Sequence, residues 1–248
     1  MNRHIQSDAL ILKSTRMGDT HRIIVLFSPE LGIVRAAAFG SRKGTGKLSG
    51  LVSPFISGRF FLYHNPMKDQ YKIEDVRPIA FREYLQKDIV KLYTASFFAE
   101  VVLKTHSSGG DNLLVYELVT ALLDLQEQDI DHEYLLIQGC WRLLNMFGLR
   151  PDLQECASCG ETFGDDMSWI HVKEHGLWCG RCYPAQNDSM RIGFVQRRYL
   201  SYTEKLPLEK AVKVKLHSDQ TQQLKNTLLQ YMDSLTDGYL KTLKSGML

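Results

Sequence analysis

Short runs of apolar residues, several of them alternating with polar ones, occupy the first eighty positions and predict β-strands. The turns between them carry proline and glycine, as at Pro29 and Gly32. Gly58 falls inside the fourth run and predicts a bulge or bend there. The runs cover residues 8–14, 21–28, 32–40, 55–64 and 71–78. Five short strands in this length fit a small closed barrel, and the OB-fold is the common five-stranded type.

The hydrophobic period changes to helical spacing at Phe81, and it becomes helical again at Met190 after a cysteine-containing segment. The predicted helices cover residues 81–106, 112–128, 133–148 and, at the end of the chain, an amphipathic segment from 224 to 243. The pattern therefore predicts a helical region that is interrupted by an insertion.

Together these patterns predict an α+β multidomain protein, with an N-terminal OB-fold barrel and a C-terminal helical domain that contains an inserted four-cysteine zinc ribbon. The predicted parts are a barrel domain at 1–80, a first helical part at 81–150, a zinc-binding insertion at 151–187 and a second helical part at 188–248.

Composition supports an ordinary soluble globular protein, with 44% apolar and 23% charged residues. No uninterrupted apolar stretch is long enough to span a membrane, and the N-terminus has no secretory signal pattern. We therefore expect a cytoplasmic, nucleoid-associated protein without a membrane partner. Disulfides are rare in that compartment, so the five cysteines favour a metal site over a disulfide framework.

Two Cys-x-x-Cys pairs form the most specific motif in the chain. Cys156 and Cys159 precede Cys179 and Cys182 by nineteen residues, which is within the spacing of a four-cysteine zinc site. Each pair can place two thiolates on one ion, and two pairs complete a tetrahedron without an open position for a substrate. We expect one structural Zn²⁺ per chain. Cys140 lies outside the motif on an apolar helix and is interpreted as a core residue.

The segment between the cysteine pairs also contains His171-Val-Lys-Glu-His175, which matches the H-x-x-E-H metalloprotease motif. That motif needs a helix to direct both histidines to one metal. Here it lies in a short loop, and residues 168–172 and 176–179 are typical of the two strands of a zinc ribbon. We therefore interpret residues 173–176 as the turn between the strands.

The net charge is only +2, but it is unevenly distributed. Residues 1–80 contain twelve lysines and arginines against six aspartates and glutamates, whereas residues 151–187 contain two against six. A flexible basic loop at 41–47 follows the third predicted strand. It fails the P-loop motif, because Ser41 and Leu48 stand where that motif requires Gly and Ser or Thr. We expect no catalytic residues and no nucleotide hydrolysis.

The basic charge of the predicted barrel suggests binding of a polyanion, because basic side chains and backbone N–H groups can follow a phosphate backbone. A solvated basic surface is the alternative. Aromatic residues in the same region, Phe39 among them, are candidates for stacking on bases, although core packing is the simpler interpretation for each. The basic candidates are Arg16, Arg22, Arg35, Arg42, Lys43, Lys47 and Arg59.

Three arginines outside the barrel are candidates for binding an acidic partner. Arg142 lies among apolar residues of a predicted helix, where a charge is costly unless it is paired or reaches a surface pocket. Its stem can equally pack while its head is solvated. Arg197 and Arg198 contribute to a second basic surface near apolar helical grooves.

Three stretches resemble the bacterial RecO family of recombination mediators. They are the segment from Gly18-Asp19 to Gly40, the basic loop that follows it, and the junction GLRPDLQECASCG at 148–160. The order of barrel, helices, four-cysteine insertion and helices is also similar to that family. The resemblance covers nearly the whole chain, while the last sixty residues match only in character.

The resemblance implies a non-enzymatic DNA repair protein that binds single- and double-stranded DNA and anneals complementary strands. It also implies action with RecR, and often RecF, to help RecA displace single-stranded DNA-binding protein (SSB), whose acidic C-terminal tail the helical domain binds. On this view the basic barrel residues form the DNA surface. From the residues alone, two other classes stay open: a zinc-stabilised protein-interaction module that does not bind DNA, and a hydrolase that uses the His171–His175 region.

Overall fold

A closed five-stranded barrel begins the computed structural model, which describes residues 3–105, 111–128, 130–183, 190–236, 238 and 240–248. The strands are β1 (His4–Met17), β2 (His21–Ser28), β3 (Gly32–Ala38), β4 (Ser57–Asn65) and β5 (Gln70–Ala80). Their order around the barrel is β1-β2-β3-β5-β4, β3 and β5 run parallel, and pairing of β1 with β4 closes the sheet. The OB-fold prediction is confirmed.

The barrel closes because one side of every strand is apolar. Ile11, Ile24, Ala36, Phe60 and Ile73 point to one core from five different strands, and all are buried. The predicted irregularity in the fourth strand is also present. The register between β4 and β5 shifts at Gly58, where an added Cβ atom would lie 2.5 Å from the carbonyl oxygen of Arg77, so only glycine fits there.

The chain divides by packing into two compact units, Met1–Glu127 and Gln128–Leu248. The first contains the barrel, a 3-10 turn (Glu83–Gln86), α1 (Ile89–Thr105) and α2 (Asn112–Leu125). The predicted first helix begins later than residue 81 because Arg82 adopts a left-handed conformation with φ 52°, which interrupts helical backbone. Residue 106, its predicted end, lies outside the described residues.

The second unit contains α3 (His132–Met146), β6 (Ser168–His171), β7 (Gly176–Cys179), β8 (Arg191–Ile192) and four more helices. The additional helices are α4 (Phe194–Thr203), α5 (Leu208–Ala211), α6 (Ser218–Ser234) and α7 (Lys241–Lys244). α3 packs against α6, and the β6–β7 hairpin lies between them in sequence. The α+β class with an inserted four-cysteine ribbon is confirmed, while the bounds of the four predicted parts stay a prediction.

The last predicted helix is shorter than its hydrophobic pattern. α6 ends at Ser234, and the Asp233 carboxylate accepts a hydrogen bond from the Leu240 backbone N–H over 3.0 Å, which holds the following turn. Residues 237 and 239 within the predicted segment lie outside the described residues. Among the described residues, no helix combines the length and the hydropathy required to cross a bilayer.

Candidate metal centre and nucleic-acid interface

The four clustered cysteines converge on one point in the second unit. The sulfur atoms of Cys156, Cys159, Cys179 and Cys182 all lie within 4.8 Å of one another, and Cys159 Sγ is 3.9 Å from Cys179 Sγ. Metal–sulfur bonds of about 2.3 Å in a tetrahedron separate the sulfurs by roughly 3.8 Å. The donor set therefore fits a single metal ion, and these cysteines could bind one.

Backbone hydrogen bonds shape both cysteine turns. The Cys156 carbonyl accepts from Gly160 N–H at 2.8 Å, and the Cys179 carbonyl accepts from Cys182 N–H at 3.1 Å. Ala157 N–H donates to the Leu177 carbonyl at 2.8 Å and fastens the first turn to β7. The second pair follows directly from the hairpin, because Cys179 is the last residue of β7.

The surroundings of Cys156 favour its thiolate. Burial opposes ionisation, but N–H groups of Cys179, Cys159 and Ser158 point at the sulfur and lower its pKa to about 6. The Cys179 N–H lies 3.3 Å from Cys156 Sγ. Metals bind the thiolate form, so this arrangement prepares one ligand at neutral pH. Cys140, by contrast, is fully buried on α3, and burial raises the pKa of its thiol.

The two histidines of the H-x-x-E-H motif contact different neighbours. Residues 172–174 form a 3-10 turn rather than an α-helix, and His175 has a left-handed backbone. His171 stacks on Trp178 with ring centres 4.0 Å apart, and His175 Nδ1 lies 3.2 Å from the Tyr231 hydroxyl. Since β6 pairs with β7 across this turn, the structure agrees with a ribbon hairpin.

One side of the barrel carries basic side chains without an acidic partner among the residues that the structure describes. Strand register brings Lys13, Val25 and Arg35 into one row, and Thr15, Ile23, Ala37 and Lys72 into the next. His21 and Phe39 follow at the end of β2 and β3. We call these nine residues the outer barrel face. Within the described residues, neither Lys13, Arg35 nor Lys72 forms an ion pair.

Side-chain exposure increases along β2 from its packed end toward the β1–β2 turn. Along β2, Phe27 is fully buried beside Tyr116 of α2, and Val25 is 8% exposed. Ile23 and His21 are each partly exposed. The accessible part of this face is therefore the end that carries the β1–β2 turn.

The basic loop at 41–47 is attached to the same end of the barrel. Arg42 donates from its backbone N–H to the Thr20 carbonyl at 3.1 Å and from its guanidinium to the Gly18 carbonyl at 3.1 Å. Gly46 N–H donates to the Lys43 carbonyl at 2.8 Å. These bonds fold the loop into consecutive turns, and its flexibility stays a prediction. In OB-folds the face of strands 2 and 3 and the loop between strands 1 and 2 bind oligonucleotides.

The candidate DNA-binding residues differ in how available their charges are. Arg16 and Lys43 are exposed, and Arg22 donates to Ser14 Oγ at 3.1 Å. Arg59 instead forms two hydrogen bonds of 2.9 Å with Asp8, which hold the pKa of that carboxyl below its usual value. The contacts of these individual residues with DNA stay predictions.

Lys47 is also engaged with an acid, because it lies 2.9 Å from Asp75. Two further basic residues, Lys13 and Lys72, were missed in the sequence-based set. Cross-strand register, rather than local composition, is the signal that identifies them.

Two of the three candidate partner-binding arginines are used inside the second unit. Arg197 is buried and donates to the carbonyls of Gly164, Asp166 and Ile192, so it supports the segment before β6. Arg142 donates to the carbonyls of Thr203 and Leu206 at the end of α4, and burial lowers the pKa of its guanidinium. Both arginines therefore stabilise the backbone of the second unit through hydrogen bonds.

Arg198 is exposed and borders an open pocket of about 200 Å³. Its guanidinium lies over the Phe194 ring at 5.4 Å. Phe163, Leu153 and Ser201 also line the pocket. The pocket thus combines apolar walls with an accessible cation.

Comparison with known proteins gives consistent matches along the chain. The family model "Recombination protein O N terminal" matches residues 1–82, and "Recombination protein O C terminal" matches residues 86–244. A DNA repair protein RecO from Alkaliphilus metalliredigens (strain QYMF) is 26% identical over 230 residues, covering 92% of this chain and 92% of the relative. Its counterpart from Oceanobacillus iheyensis (strain DSM 14371) is 25% identical over 239 residues, covering 96% and 90%. The counterpart from Bacillus pumilus (strain SAFR-032) is 23% identical over 244 residues, covering 97% and 92%.

Proposed function

Because this chain belongs to the RecO family of DNA repair proteins, we propose that it is a DNA-binding, non-enzymatic recombination mediator. It anneals complementary strands. With RecR, and often RecF, it helps RecA to load onto single-stranded DNA coated by SSB. The family assigns the role in DNA repair and recombination, and the finer activity is the proposal.

The observation that carries this proposal is the unpaired charge of the outer barrel face. Lys13, Arg35 and Lys72 project from β1, β3 and β5, with β2 between the first two of these strands. Arg42 attaches the basic loop to the adjoining β1–β2 turn. Within the described residues these three cations form no ion pair, so they can replace the counterions of a phosphate backbone without first breaking one. Lysine and arginine side chains at this site would contact the DNA phosphate backbone, and such contacts do not depend on base sequence. This suits a protein that acts on any strand.

The proposed metal is one structural Zn²⁺ held by Cys156, Cys159, Cys179 and Cys182. Four thiolates satisfy tetrahedral Zn²⁺ and leave no open coordination position, so the ion would supply folding energy and no reaction chemistry. The ribbon depends on that energy because β6 and β7 have only four residues each. Arg197 supports the same segment through the backbone contacts described above.

The proposed site for the acidic SSB tail is the pocket beside Arg198. A short peptide with carboxylates and an apolar side chain would match its cation and its phenylalanine-lined walls. Fluorescence polarisation with a labelled tail peptide tests this assignment. Arg198→Ala should weaken binding several-fold, whereas Arg191→Ala, an exposed arginine outside the pocket lining, should not. Equal binding by both variants would reject the pocket.

Strand annealing of SSB-coated oligonucleotides, with and without RecR, tests the mediator function. We expect accelerated annealing that the double variant Arg35→Ala/Lys43→Ala reduces. The control Lys210→Ala/Lys213→Ala removes the same charge from exposed positions in the second unit. If the protein produces no gel shift with single-stranded DNA even at low salt, the barrel binds protein instead and the proposal is wrong.

A further inference from the structure

We propose that Phe39 is a stacking platform for an unpaired nucleobase, at the end of a phosphate track formed by the outer barrel face. This inference rests on the proposed DNA binding and adds a basis for selecting single strands. Phe39 is the first residue after β3, and 49% of its surface is exposed. It continues the outward series of Arg35 and Ala37, so its ring is not part of the barrel core.

The Phe39 ring is held in place by a neighbour that is itself fixed. His21 meets it edge to face, with ring centres 5.0 Å apart and an interplanar angle of 74°. His21 Nδ1 accepts a hydrogen bond from the Gly40 backbone N–H at 2.9 Å, which sets the orientation of the imidazole. A ring that is already oriented loses little conformational freedom when a base stacks on it.

Charge around the ring favours a nucleotide over an apolar partner. Lys72 Nζ lies 5.9 Å from the centre of the Phe39 ring, which is within the range of a cation–π contact. Arg35 lies on the same strand face as Phe39, four residues earlier. A base stacked on the face of the ring away from Lys72 would therefore have cations nearby for its phosphates, whereas an apolar peptide would have to desolvate those cations.

The side chains between Lys13 and Phe39 on the outer barrel face leave room for a single strand to approach. Between Lys13 and Phe39 the outward positions are Thr15, Ile23 and Ala37, whose side chains are short or only partly exposed. Bases inside a duplex already stack on both faces, so away from the duplex ends only an unpaired base can cover Phe39. Phosphate binding by the track serves either kind of DNA, whereas stacking on Phe39 serves only the single strand.

Equilibrium binding of a 2-aminopurine-labelled single strand and of a duplex of the same sequence tests this site. We expect Phe39→Ala to weaken single-strand binding about ten-fold. Its duplex affinity and its salt slope should stay unchanged, and Phe39→Trp should restore single-strand affinity. Phe81→Ala is the matched control, because Phe81 is 44% exposed but lies beyond β5, outside the outer barrel face.

Arg35→Ala separates the phosphate track from the stacking site. It should weaken both ligands and reduce the single-strand salt slope by about 0.7. Normal single-strand affinity in Phe39→Ala, in a protein that binds DNA, would overturn the stacking site and leave the proposed function standing. The inference also fails if Phe39→Ala loses binding of the labelled SSB tail peptide but keeps its DNA affinity. Failure of the unaltered protein to bind either DNA would reject both proposals.

Discussion

The guanidinium of Arg82 donates a 2.7 Å hydrogen bond to the carboxylate of Asp124 and thereby joins the segment after β5 to α2. A second nitrogen of the same group donates to the Phe55 carbonyl at 2.9 Å and to Ser57 Oγ at 3.0 Å. The Arg82 side chain is only 3% exposed. One buried cation therefore fixes the start of β4 and the end of α2.

Arg82→Ala should lower the free energy of unfolding by about 2–4 kcal/mol, because it leaves buried acceptors without a donor. Urea denaturation followed by circular dichroism measures this loss. Arg77→Ala is the control, since Arg77 is exposed on β5 and lies over the Phe61 ring. An equal loss in the two variants would show that burial of Arg82 has no special importance.

Cys156→Ser should abolish stoichiometric metal binding, because the remaining three thiolates cannot close a tetrahedron. Metal content by elemental analysis of the purified protein checks this outcome. Cys140→Ser should retain one metal per chain, since Cys140 is buried on α3 and lies outside the cluster. If His171→Ala lost the metal while Cys156→Ser kept it, the ligand set would be wrong.

The Asp8–Arg59 pair should make stability depend on acid pH. The hydrogen bond from Arg59 lowers the folded pKa of Asp8 below its usual 3.8. The stabilising contribution is therefore complete above that value and is lost as the pH falls through the lower folded pKa. The stability difference between the unaltered protein and Asp8→Asn should narrow from about pH 7 to about pH 3. Asp19→Asn, an exposed position in the β1–β2 turn, is the control for removing one carboxylate.

Arg35→Ala should weaken DNA binding more than Arg59→Ala. Both arginines are exposed, but Arg59 is already neutralised by Asp8 and must break that pair to bind a phosphate. DNA-binding titrations over a range of salt concentrations provide the measurement. The slope of the logarithm of the binding constant against the logarithm of the salt concentration should become smaller for Arg35→Ala alone. A larger effect of Arg59→Ala would move the DNA path to the β4 side of the barrel.

Gly46→Ala should disrupt the basic loop. A Cβ atom at Gly46 would lie 2.2 Å from the Gly40 carbonyl oxygen, so the backbone turn must shift. DNA affinity should fall while the thermal transition of the barrel changes little. Gly44→Ala is the matched control, because nothing lies within 4 Å of a Cβ atom there. Comparable DNA affinity in the two variants would separate loop geometry from DNA binding.

Local features were readable from the sequence because short-range geometry specifies them. The Cys-x-x-Cys spacing brings pairs of thiols together within one turn, and residues 168–179 form a hairpin whose register follows from its length. The five strands and their β2 and β3 starts also followed from local patterns. When the two ends of a short segment are held close together, few backbone conformations can connect them.

Charge availability could not be read in the same way, because it depends on partners far along the chain. Arg197 and Arg198 are neighbours in sequence, yet one is buried against carbonyls more than twenty residues away and the other is exposed. Arg59 meets an aspartate fifty-one positions earlier. Only the packed structure decides which cations retain a free charge.

The outer barrel face shows the same limit in strand register. Ala9 and Ile11 face the core, so simple alternation along β1 would turn Lys13 inward. A bulge between Ile11 and Lys13 adds one residue, and Lys13 pairs with Val25 on the outside. The sequence by itself determined the barrel, the four-cysteine cluster and the excess of basic charge. Tertiary pairing decided which charges share one face, because a one-residue shift of register moves a side chain to the opposite side of a sheet.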